Sequence, residues 1–219
     1  MSLTLYFHPF SSFCQKVLIA LYENDTAFEP RVIDLRDPAS RAKLEQVWPL
    51  AKFPVLRDEA RQVTVPETSL IIDYLARRHP GLVELVPADP GAALRVQIWD
   101  RFFDNYVQVP MQKAMLDRFR PEGANDPHGV AEAKHLLSKT YAIVDAELGG
   151  GDWIAGNGFT LADCSAAPAL FYANLVQPIA EQGRLSAYFK RLMARPSFAR
   201  VVDEARPFRH FLPIDWPRD

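Results

Sequence analysis

A chain of 219 residues and 24.8 kDa is long enough to bury one large core or two smaller ones. Hydrophobic residues at 48% and charged residues at 24% match ordinary folded proteins, which excludes disordered and fibrous classes. A net charge of −2 provides no field to gather nucleic acid or anionic lipid, so a small, near-neutral partner is expected.

The first eighty residues alternate strand and helix signals. Leu3 to Phe7 predicts a strand that stops at His8-Pro9. After the turn Phe10-Ser11-Ser12, the apolar positions Phe13, Val17, Ala20 and Leu21 recur at helical spacing. Arg31 to Leu35 predicts a second strand, which makes a βαβ unit with parallel strands. A less regular helix follows. Lys52 to Leu56 and Gln62 to Val65 then form a strand pair around the charged turn Arg57 to Arg61, with Pro54 at a strand start. Beyond Pro66-Glu67, the positions Leu70, Ile71, Tyr74 and Leu75 mark one face of another helix.

Pro80, Gly81, Pro87, Pro90 and Gly91 break any helix, so residues 80–91 are expected to link residues 1–79 to residues 92–219. The second half carries helical patterns only. Ala92 to about Phe119 is one long periodic segment and Val130 to Leu148 another, ended by Gly149-Gly150-Gly151. Thr160-Leu161-Ala162-Asp163 has the spacing of a capping box, and Arg184 to Ala194 and Phe198 to Ala205 complete the helices. The expected fold class is therefore α/β plus all-α.

Three short stretches carry candidate chemistry. Ser11-Ser12-Phe13-Cys14 sits where a strand hands over to a helix, and the free amides and dipole there favour an anion such as a thiolate. Serines at such turns ordinarily do no more than cap the helix. Ser11 and Cys14 have the spacing of a CxxC redox motif with its attacking thiol replaced by a hydroxyl. Lys52-Phe53-Pro54 places a proline after a loop at a strand start, where a cis bond costs little and bares the Phe53 backbone for pairing with a peptide. An edge-strand proline with no ligand is the plain alternative. Glu67-Thr68 opens a helix, where Thr68 offers a hydroxyl and amide to a carboxylate and Glu67 a charge to an ammonium, a match to an amino-acid head group, although taken alone the pair is simply a good helix start.

In combination these residues resemble the cytosolic glutathione transferases of the bacterial type, with a serine at the catalytic position, over essentially the whole chain. That resemblance rests on Ser11, Phe53-Pro54, Glu67-Thr68 and the box Thr160 to Asp163. It implies a thioredoxin-like N-terminal domain followed by an all-helical domain with an electrophile pocket. Glutathione would be the co-substrate, with no metal. Ser11 would set the thiolate, and Phe53, next to Pro54, would pair with the cysteinyl part. Glu67 and Thr68 would hold the γ-glutamyl end, and Lys52 would approach the glycine carboxylate. The bound thiolate would attack an electrophile or peroxide, and the protein would be a homodimer. The run SSFC departs from zeta-like members, where cysteine directly follows the two serines, and from omega-like members, where cysteine stands at position 11. Trp48-Pro49 and Ala51 also replace the usual Asn-Pro and glycine before the cis-proline loop.

For the electrophile pocket, Phe10 and the apolar stripe Phe102, Tyr106, Met111, Met115 and Phe119 are candidates, although at least half of such a stripe is ordinarily core. Phe208, Phe211 and Trp216 near the C-terminus either cover that pocket or pack on the first domain. His8, His79, His128, His135 and His210 lack metal spacing and are assigned structural or surface roles. Cys14 and Cys164 are too few for a disulfide framework. Met1-Ser2-Leu3-Thr4 carries no basic start or apolar run, and no stretch is long enough to span a membrane, so the expected address is the cytoplasm. Two rivals remain in view: a thiol-disulfide oxidoreductase using Cys14, and a non-catalytic glutathione-binding module.

Overall fold

The computed structural model describes residues 2–212, so Trp216 lies outside the described residues. The chain divides into two units, one built from Met1–Val86 with Pro196–Phe208 and the other centred on Pro87–Arg195. The boundary falls inside the breaker-rich segment around Pro80 to Gly91.

The first unit carries a four-stranded sheet of order β2-β1-β3-β4. Strand β1 (Leu3–Phe7) feeds helix α1 (Ser12–Glu23), which returns to β2 (Glu29–Val32), parallel to β1. Leu3, Leu5 and Phe7 alternate inward, and α1 buries Val17, Leu18, Ile19, Ala20 and Leu21. Strand β2 lies earlier than Arg31 to Leu35. All four of its residues are exposed, because it is an edge strand, and the buried apolar residue is Ile33, just beyond it. Ile33 packs with Leu44 and Val55, while Asp34 accepts the Arg36 amide and ends the extended run. Helix α2 (Pro38–Val47) begins on an Asp37 cap with proline in its first turn.

Strands β3 (Val55–Asp58) and β4 (Val63–Pro66) form the expected antiparallel pair, but β3 runs through Arg57 and Asp58, which the sequence assigns to the turn. The Asp58 carboxylate is fully buried and accepts from Tyr74 Oη at 2.8 Å and Arg61 Nη1 at 3.0 Å, so a charge that looks like a turn signal is satisfied inside the fold. These donors hold its carboxyl at about 2 against the opposing cost of burial. Helix α3 (Thr68–Arg78) then packs on α1.

In the helical unit, the segment from Ala92 to Phe119 is not one regular helix. Helix α4 (Pro90–Phe102) passes through a π-helical stretch, Phe103–Gln108, into α5 (Val109–Leu116) and a 3-10 turn. Pro110 has no amide proton to complete the ladder to the residue four before it, and the wider turn lies directly ahead of it. Helices α6 (Pro127–Glu147), α7 (Leu161–Asn174) and α8 (Arg184–Met193) complete that unit. The final helix, α9 (Pro196–Ala205), carries Phe198, Val201, Val202 and Ala205 on a buried face and packs on α1, where Tyr22 Oη donates to Glu204 Oε2 at 2.8 Å. Pro196–Phe208 therefore groups with the first 86 residues, whereas sequence alone groups it with the helical half. Among the described residues, no helix is long and apolar enough to cross a membrane.

Candidate active site

The sheet register gathers the three candidate stretches. Tyr6 pairs with Val55, and Val55 with Pro66. The residues after β1, those before β3 and those after β4 consequently leave the sheet from one end. That end carries Ser11, Phe53-Pro54 and Glu67-Thr68. The starts of α1 and α3 are also tied directly, by Lys16 Nζ donating to Ser69 Oγ at 2.9 Å.

Ser11 is the N-cap of α1, with extended backbone (φ −82°, ψ 120°). Its Oγ accepts the Cys14 amide at 3.4 Å, and its own amide donates to the His8 carbonyl at 3.0 Å. Toward the buried Cys14 sulfur the same hydroxyl acts as a donor, and its rotatable proton can turn to an external thiolate instead. The first turn of α1 has no acidic residue, so the positive end of the helix dipole is not neutralised there. Ser12 is buried at 8% exposure, whereas Ser11 is half-buried and reachable. Phe10 is half-buried beside Ser11, and its amide donates to His8 Nδ1 at 3.2 Å.

Cys14 is fully buried, and burial pushes its thiol up to about 12 even though Ser11 and the His8 amide favour the thiolate. A thiol so placed is neither exposed nor ionised at neutral pH, the two conditions a redox nucleophile needs. Cys164 is buried as well.

The Phe53-Pro54 bond is cis. Phe53 is half-buried, packs against the Ile33, Leu44 and Val55 cluster, and stacks near the His8 ring at a centroid distance of 6.2 Å. Lys52 is exposed, and Pro54 is buried. Glu67 adopts φ +69°, a conformation few non-glycine residues take, and stands exposed as the N-cap residue of α3 without making a side-chain cap. Among the described residues no N-cap side chain closes the start of α3, an arrangement suited to an external carboxylate. Thr68, at 6% exposure, begins that helix.

Of the stripe in the helical unit, Met111 and Met115 are core residues at 3% and 4% exposure. Phe102 is half-buried, with its ring 4.9 Å from Trp99 and 5.3 Å from Tyr106, while Tyr106 and Phe119 are about half exposed. Thr160 forms the capping box: its amide donates to Asp163 Oδ2 at 2.8 Å. Among the described residues, no group of three or more His, Cys, Asp or Glu is placed to hold a metal ion. His8, to which the sequence assigns a structural or surface role, makes hydrogen bonds to Phe10, Ser11 and Cys14 within this turn; a histidine directly after the first strand and just ahead of the serines was the available signal.

Residues 5–82 match the family described as glutathione S-transferase, N-terminal domain, and residues 104–196 match glutathione S-transferase, C-terminal domain. Glutathione S-transferase F13 of Arabidopsis thaliana is 26% identical over 216 residues, covering 92% of this chain and 95% of its own. Glutathione S-transferase 3 of Zea mays is 28% identical over 209 residues, covering 91% and 93%. A glutathione S-transferase from Methylobacillus flagellatus, solved with glutathione bound, superposes with a TM-score of 0.80 at 23% identity, over 91% of this chain and 98% of its own. With both family domains in chain order, a thioredoxin-like sheet unit before a helical one, and the cis-proline and capping box at the expected places, this chain belongs to the glutathione S-transferase superfamily.

Proposed function

We propose that the protein is a glutathione transferase in which the Ser11 hydroxyl donates a hydrogen bond to the thiolate of bound glutathione. The observation that carries this reading is Ser11 itself: a reachable N-cap whose oxygen accepts one long hydrogen bond from the Cys14 amide and whose rotatable proton, which favours the sulfur of buried Cys14, can turn to an incoming thiolate. A free thiol with pKa about 8.5 is only about 3% ionised at pH 7. Lowering its pKa by about two units takes roughly 2.7 kcal/mol. A hydrogen bond to a charged group contributes roughly 1.5–3 kcal/mol, and the dipole of α1 adds roughly 0.3–1 kcal/mol. One hydroxyl at this turn is therefore sufficient in magnitude.

The remaining roles follow from what lies at the same end of the sheet. The backbone of Phe53, beside cis-Pro54, pairs with the cysteinyl part of glutathione. The uncapped start of α3 at Thr68 accepts the γ-glutamyl carboxylate, Glu67 meets the ammonium, and exposed Lys52 approaches the glycine carboxylate. The bound thiolate attacks an electrophilic carbon, a peroxide or an activated double bond. Phe10 in the first unit and, separately, Phe102 and Tyr106 in the helical unit retain exposed surface for contact with such a substrate, whereas Met111 and Met115 lie in the core. Burial of Cys14 removes the thiol that the disulfide-exchange alternative requires. The working form is a cytoplasmic homodimer, and sedimentation should give twice the chain mass at micromolar concentration. Titration calorimetry tests the binding reading: saturable glutathione binding at or below about millimolar is expected, and no heat at that concentration contradicts it.

A further inference from the structure

His8 is not part of the glutathione contacts proposed above, yet it holds the turn that presents Ser11. Its imidazole Nδ1 accepts the Phe10 amide at 3.2 Å, its carbonyl accepts the Ser11 amide at 3.0 Å, and its own amide donates to Cys14 Sγ at 3.5 Å. Gln15 Nε2 closes the same loop on the Pro9 carbonyl at 3.0 Å. The ring is confined by Phe53 on one side, 6.2 Å away at an interplanar angle of 24°, and by Phe208 at 4.7 Å and 67°. Two aromatic neighbours thus fix the plane of the imidazole while Nδ1 fixes the backbone on either side of Phe10.

We infer that His8 is a positioning residue for thiolate activation: its neutral imidazole anchors the Phe10 amide and so aims the Ser11 hydroxyl, and protonation of the ring releases that aim. The inference rests on the reading of Ser11 as the thiolate donor. Nδ1 accepts from an amide only when it carries no proton, which puts the proton of the neutral ring on Nε2. Adding a proton at Nδ1 sets two N–H groups against each other at 3.2 Å.

The surroundings favour the neutral form. Burial pulls the His8 pKa below 6.5, Asp34 opposes that shift and Arg36 reinforces it, both from the turn after β2. From α1 the facing group is Cys14, held neutral by burial. Phe53 and Phe208 bring uncharged rings from the loop before β3 and from the C-terminal 3-10 segment, where Arg209 and His210 follow Phe208. Because the folded-state pKa lies below the unfolded one, His8 favours the native turn at neutral and higher pH. That contribution is lost as the pH falls from about 6.5 through the folded-state value.

Two variants separate hydrogen bonding from packing. His8→Asn restores an acceptor, because an Asn side chain bonds the amide two residues on, but it does not titrate. His8→Phe keeps an aromatic ring between Phe53 and Phe208 and removes the acceptor. The measurement is the pH profile of kcat/KM on the full-length proteins with glutathione and an aryl halide, alongside thiolate absorbance of the glutathione complexes. Wild type should lose log kcat/KM on the acid side with a slope of about two, one proton from the thiolate and one from His8, whereas His8→Asn keeps a third or more of the neutral rate with a slope of about one. His8→Phe should lose roughly tenfold in rate at every pH, the effect of one buried donor left unsatisfied, with glutathione affinity little changed. A two-proton limb persisting in His8→Asn, or a full rate in His8→Phe, overturns the role of His8 while leaving a thiolate band intact. A wild-type complex with no thiolate band at neutral pH overturns the Ser11 reading, and the His8 inference with it.

Discussion

Among the described residues, Ser11 and Thr160 are hydroxyl residues that cap helix N-termini, and the two are put to opposite uses. At the start of α7, Thr160 is buried at 7% exposure, and both its amide and its Oγ1 reach Asp163 Oδ2, at 2.8 and 3.1 Å. Asp163 is itself fully buried and accepts from Tyr188 Oη at 2.6 Å and the Ile154 amide at 3.3 Å. Burial alone raises the Asp163 carboxyl, and these donors oppose that rise. Every polar group there is committed inside the protein. At the start of α1, Ser11 is half-buried and reachable, its oxygen accepts one long bond, and its rotatable proton has a sulfur, buried Cys14, as its partner. The same local signature serves structure where the hydroxyl is buried among fixed partners, and chemistry where it is reachable and can exchange a weak sulfur partner for a thiolate.

The largest test of that contrast falls on the closed network. Asp163→Ala strips acceptors from Tyr188, Thr160 and Ile154 at once, and chemical denaturation should show a loss of about 3–5 kcal/mol, comparable to breaking a buried charged group away from its partners. A loss under about 1 kcal/mol would mean that the box is not closed as described. The open site should respond differently. Ser11→Ala should lower the conjugation rate by roughly ten- to a hundredfold, the equivalent of one charged hydrogen bond, while stability falls by only about the 1 kcal/mol of a missing N-cap. Glu67→Ala should weaken glutathione binding by about tenfold or more, as an ammonium loses its counter-charge; calorimetry giving an unchanged Kd would reassign that end of the ligand. The smallest effect is at the closed network of the first unit. Tyr74→Phe removes one donor to Asp58 and should cost about 1 kcal/mol. Since the folded Asp58 carboxyl lies at about 2, below its unfolded value, its contribution is present above pH 4 or so and is lost as the pH falls toward 2. Denaturation midpoints of Tyr74→Phe against pH should show a shallower acid loss than wild type.

Most of this architecture was legible in the sequence, because periodicity and capping are local signals. Leu3 to Phe7, the Leu70 face and the Thr160 box carry their own patterns, and their elements stand where those patterns place them. What local pattern could not carry was set by tertiary packing. Val32 is exposed on an edge strand while Ile33, one residue later, is core, so the β2 signal lay too far along the chain. Asp58 belongs to a strand because Tyr74 and Arg61 reach it from elsewhere. The amphipathic face of α9 indicates burial without naming the partner, which proves to be α1. In the candidate site the residue types at positions 11, 53, 67 and 68 were readable one by one. Their gathering at one end of the sheet follows from the Tyr6, Val55 and Pro66 register, and the anchoring by His8 from a turn geometry that no spacing encodes.

The central claim is that Ser11, and not its neighbours, sets the thiolate. The direct measurement is ultraviolet thiolate absorbance against pH for the glutathione complexes of wild type, Ser11→Ala, Ser12→Ala and Thr160→Ala. Ser11→Ala should raise the bound thiol's pKa by about one to two units. Ser12→Ala should leave it near the wild-type value, and Thr160→Ala should do the same while losing stability. A Ser11→Ala complex that keeps the wild-type thiolate titration, with the shift appearing in Ser12→Ala instead, would contradict the account.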